Sequence, residues 1–275
     1  MKRYLAVLLC VGLVAGIVGA VVAGCGTSKA QSVIAEARDA IAQARTFRFK
    51  GTKDLAAKTP GQEQESSQTF AVTGDSQTVQ DTTNQHLVLD TGQGVAAEYY
   101  ILGDKAYINL GGTGWYYDDT GGKIDQPGNT EGFSKKDMDE MLKAAEDAKT
   151  TSEQGSVVTV TFKVGEGYVS IISQQLKDAA AQGGVSQDDL NSSLEILKNM
   201  SIDVTIIYDS NAKQIQHFER NMDINTGQAT VSVRDSLDFY DYGADIQITL
   251  PVPAQNAQPW SVYLQQLQQL QQQTQ

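Results

Sequence analysis

KQIQHFERNMDINTGQATVSVRDSLDFY, residues 213 to 240, is the stretch whose reading decides the fold. Its first half keeps Phe218, Met222 and Ile224 in one phase, and its second half does the same with Ala229, Val231, Val233, Leu237 and Phe239. A period of two puts these side chains on one face of an extended strand and the polar residues on the other. Asn225-Thr226-Gly227 between the halves is turn chemistry, so the two runs read as an antiparallel hairpin. Strands with one dry and one wet face belong to antiparallel sheets, whereas parallel strands are covered on both faces.

The alternation recurs to either side. Phe47, Phe49, Gly51 and Leu55 alternate with Arg48, Lys50, Thr52 and Asp54. Phe70 and Val72, then Leu87 and Leu89, repeat it, and Val95, Ala97, Tyr99 and Ile101 share one face. Gly103-Asp104 is a tight turn into Ala106, Ile108 and Leu110. Further on come Val158, Val160, Phe162 and Val164, then Ile202, Val204, Ile206 and Tyr208.

Four stretches change to helical spacing. Residues 31–45 carry Ile34, Ala37, Ile41 and Ala44. A second segment starts at Ser134, with Asp137 as capping partner and Met138, Met141, Leu142 and Ala145 on one face. Tyr168, Ile171, Ile172, Leu176 and Ala179 form a third, and Ser186 with Asp189 opens a fourth that carries Leu190, Leu194 and Leu197. Gly183-Gly184 separates the last two. Amphipathic helices of this kind cover the dry face of a sheet. Gly111-Gly112-Thr113-Gly114 is followed by Trp115-Tyr116-Tyr117, which reads as strand, not the helix N-terminus that a phosphate cradle needs. Residues 256–275 are glutamine-rich and read as a frayed tail or loose helix.

The N-terminus decides location. Lys2 and Arg3 precede an uncharged apolar run from Leu5 to Val22, and the run ends in Val22-Ala23-Gly24-Cys25. This resembles the lipobox of a bacterial lipoprotein signal: small residues let a peptidase grip the backbone, and only a thiol can take the diacylglyceryl thioether. An uncleaved membrane anchor is the other reading, since the run approaches the roughly 20 residues that span a bilayer. The lipobox reading makes residues 1–24 a signal peptide, Cys25 the lipidated residue, 25–30 a tether, 31–255 the folded domain and 256–275 the tail. The protein would then be extracytoplasmic, fixed to the cell membrane of a bacterium by its acyl chains, palmitate among them.

All 33 Asp and Glu follow residue 24, against 19 remaining Lys and Arg, so the mature chain carries about −14. Such a surface argues against nucleic acid and against electrostatic adhesion to anionic lipid, which leaves the anchor to hold the membrane. Cys10 leaves with the signal and Cys25 is acylated, so no disulfide or thiol nucleophile remains. His86 and His217 are too few and too isolated for zinc, and the acidic clusters lack calcium-loop spacing.

Helix, long amphipathic strands, hairpin, inserted helices and more strands end in Asp238-Phe239-Tyr240-Asp241-Tyr242-Gly243 and Ile246-Gln247-Ile248-Thr249-Leu250-Pro251. That order resembles the LolA-like superfamily, with its LppX- and LprG-type anchored lipoproteins. The resemblance implies an α+β fold: a strongly curved antiparallel half-barrel, here of about nine to eleven strands, whose concave apolar face is covered by helices and can hold acyl chains. The family supplies no catalytic motif, and no cofactor, metal site or enzymatic activity is expected.

Helices that fill the concavity incompletely leave a ligand cavity. Its candidate lining is Phe49, Phe70, Leu87, Tyr99, Ile101, Phe162, Ile206, Phe218, Met222 and Val233; ordinary core is the competing reading of each. Two charges share that dry face, Arg220 and Asp235. If Ile224 pairs with Ala229, Arg220 lies opposite Val233 and Asp235 opposite Phe218, so the charges are diagonal neighbours within side-chain reach. Burial demands that they pair, at the mouth of the concavity, as a structural contact or as the holder of a ligand head group. The sequence therefore points to a monomeric anchored lipoprotein that binds or carries an apolar ligand such as lipid. The alternative is a non-catalytic structural or interaction lipoprotein of the cell envelope with a filled core.

Overall fold

The computed structural model describes residues 28–59, 66–80, 82–118, 135–181, 187–227 and 229–273. The signal segment, Cys25, Ser134, Gly183-Gly184 and Ser186 lie outside them. Twelve strands form a single sheet in the order β12-β6-β5-β4-β3-β2-β1-β11-β10-β9-β8-β7. The strands are β1 (Thr46–Lys58), β2 (Ser66–Val79), β3 (Thr82–Asp90), β4 (Val95–Leu102), β5 (Lys105–Leu110), β6 (Trp115–Asp118), β7 (Ala145–Gln154), β8 (Val157–Val164), β9 (Met200–Asp209), β10 (Gln214–Asn225), β11 (Thr230–Tyr240) and β12 (Gln258–Pro259). Every pairing is antiparallel except the two-residue contact of β12 with β6. The sheet is curved and open, an α+β half-barrel.

Two glycines mark the bend. Gly51 sits mid-strand in β1 and Gly74 in β2. A Cβ on Gly51 would stand 1.8 Å from the Ser236 carbonyl oxygen, and one on Gly74 would stand 2.3 Å from Cζ of Phe49. Strands approach that closely where a sheet coils, and only glycine tolerates it.

Among the described residues five α-helices accompany the sheet: α1 (Lys29–Gln43), α2 (Lys135–Lys143), α3 (Glu166–Ala181), α4 (Gln187–Lys198) and α5 (Trp260–Gln273). Helix α1 starts at Ser28, whose side chain accepts from Gln31 N while the Gln31 side chain accepts from Ser28 N, a capping box. It ends where Ala44 turns extended and feeds β1. Its stripe of Val33, Ile34, Ala37 and Ile41 is buried against β7, β8 and β10. Helix α2 packs on α1 through buried Met138, Met141 and Leu142, with Arg38 Nε 2.8 Å from Asp139 Oδ1.

Three expectations change. Ala145 opens β7 instead of closing the helical face, because α2 stops at Lys143. Strand β7 itself, AEDAKTTSEQ, has no apolar phase: it is an edge strand, mostly exposed and irregular in register, so alternation could not announce it. Where a loose tail was expected past residue 255, a one-turn helix at Val252–Asn256 leads through β12 into α5, and Trp260 is buried in the core cluster.

Candidate functional site

The pairings place the inward side chains in rows across the sheet. One row runs Phe49, Gly74, Leu87, Tyr99, Ile108, Tyr116, with Phe239 on the other side of Phe49. The next runs Val160, Ile206, Phe218, Leu237, Gly51, Val72, Leu89, Ala97, Leu110. The third runs Phe162, Val204, Arg220, Asp235, Lys53, Phe70. Met222 and Val233 face each other in the fourth, beside Leu55. All ten lining candidates therefore lie on rows of one face, Ile101 falling in a row with Ser76, Gln85 and Asp118.

Exposure separates them. Ile206 and Phe218 have no accessible surface and Phe49 has 1%, so protein atoms enclose them. Leu87, Tyr99, Phe162, Met222 and Val233 are buried too. Phe70 and Ile101 are half-buried, and so are Leu55, Leu89, Leu110 and Val231, none of which alternation alone set apart. Leu55, Phe70, Leu89 and Leu110 come from β1, β2, β3 and β5 and share this face in the three rows beyond that of Phe49 and Tyr99.

The charged row runs among these residues and ends in Phe70. Arg220 is 2% exposed and Asp235 has no exposure. Nε of Arg220 donates to Asp235 Oδ2 at 2.9 Å, with Nη2 on the same oxygen. Lys53 Nζ donates to the other carboxylate oxygen at 3.3 Å. The register differs from the one read in sequence. Thr226 N donates to the Ala229 carbonyl, Ala229 N donates to Thr226 Oγ1, and Gly227 takes a φ of 75°. The turn is therefore centred one residue later, Ile224 pairs with Val231 instead of Ala229, and Arg220 stands directly opposite Asp235 instead of diagonal to it. Lys53 was missed although its parity with Gly51 and Leu55 already places it inward.

His86 and His217 lie on the outer face. His86 Nε2 is 2.9 Å from Glu98 Oε1 and stacks on Tyr100, and His217 Nδ1 is 2.8 Å from Asp238 Oδ1. Burial comes first in lifting the Tyr100 phenol to about 12, with Glu98 adding to it. Among the described residues no three His, Cys, Asp or Glu groups are placed to hold a metal ion, and no helix is long and apolar enough to cross a membrane.

No family model matches the chain, and no curated protein matches it. Solved structures similar to it include the lipoprotein LppX of Mycobacterium tuberculosis, 11% identical over 80% of this chain and 98% of that one, with a TM-score of 0.40. LprF of Mycobacterium bovis is 14% identical over 84% of this chain and 100% of that one, TM-score 0.41. A LolA superfamily protein of Nitrosomonas europaea is 8% identical over 82% of this chain and 96% of that one, TM-score 0.26.

Proposed function

We propose that this chain is a non-catalytic, extracytoplasmic lipoprotein, anchored through Cys25, that binds or carries an apolar ligand of lipid type on its concave face. One observation carries the reading: Leu55, Phe70, Leu89 and Leu110 share the face of the sheet that carries the core yet remain half-buried. Apolar side chains on a core face that keep accessible surface are what an acyl chain would cover. The Lys53, Asp235 and Arg220 group lies in the same row as Phe70.

A second reading is favoured by the complete enclosure of Ile206 and Phe218. It is a structural or interaction lipoprotein whose core is already full and whose acidic outside meets a partner. Native mass spectrometry of the full chain separates the two: a reproducible lipid adduct beyond the covalent acyl mass supports the carrier, and a bare chain across membrane preparations sinks it. Loss of the acyl mass in Cys25→Ser tests the anchor.

A further inference from the structure

At the β6 end of the concave face three rings meet beneath α5. Tyr116 of β6 has its ring centroid 5.1 Å from that of Tyr263 and 6.1 Å, edge-on, from that of Trp260. The Trp260 and Tyr263 rings are 4.6 Å apart. Tyr116 donates its hydroxyl hydrogen to Gln266 Oε1 at 3.2 Å. Tyr99 lies in the same row as Tyr116, and burial, then the nearby Tyr263, push its ionisation far up; burial raises Tyr263 as well. The Tyr99 and Tyr263 phenols therefore stay neutral.

Trp260 is 7% exposed, and its Nε1 is buried with no hydrogen-bond partner. An indole N–H can only donate, and an unpaired buried donor is a standing cost that natural cores rarely keep. A phenylalanine would fill the same space without that cost. The donor calls for an acceptor that is absent when α5 lies closed. A carboxylate or phosphate would bring an unpaired charge among neutral phenols and a glutamine amide, whereas a carbonyl brings none.

Granted the concave-face ligand proposed above, we propose that Trp260 Nε1 is the anchor for an ester carbonyl of an acyl ligand, seated beneath α5 at the β6 end of the hollow. Entry then requires α5 to lift, since the indole nitrogen has no accessible surface in the closed form. The ligand class narrows from apolar matter in general to neutral acyl esters.

The two tryptophans make this testable, because they lie on opposite faces: Trp115 packs against Tyr100 outside, Trp260 inside. Full-length Trp115→Phe protein in amphipol, with Trp260 as its single fluorophore, is titrated with dioctanoylglycerol and with the matched dioctyl diether, which lacks carbonyls. The expected result is a saturable change in Trp260 emission and an ester preference of about three- to tenfold, the range of one buried hydrogen bond. Trp260→Phe, followed by native mass spectrometry, should erase that preference while retaining both ligands. Equal binding of ester and ether with silent Trp260 emission overturns the ester anchor and leaves the concave-face reading standing. Failure of both ligands to bind overturns both.

Discussion

Arg220 and Asp235 face each other directly across β10 and β11, and Lys53 of β1 reaches the same carboxylate, so one buried acid ties three adjacent strands. Removing the acid takes the carboxylate away from two cations on the inner face, and breaking a buried ion pair costs about 3–5 kcal/mol. Asp235→Ala should lower the urea midpoint accordingly. The triple change Lys53→Met, Arg220→Met, Asp235→Leu should recover most of the loss, because apolar residues of similar size remove the desolvation problem altogether. If the triple variant is no more stable than the single one, the group does more than hold strands together.

Much of this was legible. Period two in residues 213–240 gave the hairpin, its dry face and the two charges on it, because side-chain parity follows from backbone geometry. The turn was harder: whether the chain reverses about Thr226-Gly227 or one residue later depends on the bonds between Thr226 and Ala229, and that choice moves every facing pair. Strand β7 was silent because edge strands need no apolar phase. Trp260 was hidden by its glutamine-rich surroundings, which describe the solvent side of α5 and say nothing of its first residue. Alternation marked the core face but could not grade it, so Phe218 and Phe70 looked alike until their exposures differed.

Curvature at Gly51 is a steric demand with a separate test. Gly51→Ala would meet only backbone, the Ser236 carbonyl oxygen and carbon and the Leu237 Cα, so relief requires moving β11. Gly74→Ala meets the tip of the Phe49 ring and the His86 carbonyl oxygen. Overpacking of the second kind costs about 1–3 kcal/mol. Gly74→Ala should therefore fold with a lowered melting temperature, partly restored by Phe49→Leu, while Gly51→Ala should yield little folded protein. Equal behaviour of the two, judged by circular dichroism, would dismiss the distinction between side-chain and backbone obstruction.

Core and lining should part company under substitution. Phe218→Ala empties a fully enclosed site and should cost about 3–5 kcal/mol. Phe70→Ser, at a half-buried position, should cost about 1–2 kcal/mol and yet reduce the lipid that copurifies far more than Phe218→Ala does among the folded molecules. Quantitative lipid extraction from purified protein, set beside denaturation midpoints, reads both. Retention of lipid that simply tracks stability would place the ligand elsewhere.

Helix α2 is held on α1 by a carboxylate whose acidity has a predictable direction. Burial works to raise the Asp139 pKa, but Lys143 and Arg38 outweigh it, and the net result lies below the ordinary 3.8. A folded-state pKa below the unfolded one means that the contribution is complete above the unfolded value and disappears as pH falls through the folded one. The partners are partly solvated, so the contribution is about 0.2–1 kcal/mol. Asp139→Asn should accordingly be less stable than the parent near neutral pH, and the gap should close as the pH drops below about 3.8. Raised salt should narrow it at neutral pH as well, since Arg38 is substantially exposed. Urea titrations of both proteins across that range decide the matter: a gap that persists undiminished into acid would mean that Asp139 acts through its shape and neutral hydrogen bonds, with no part played by its charge.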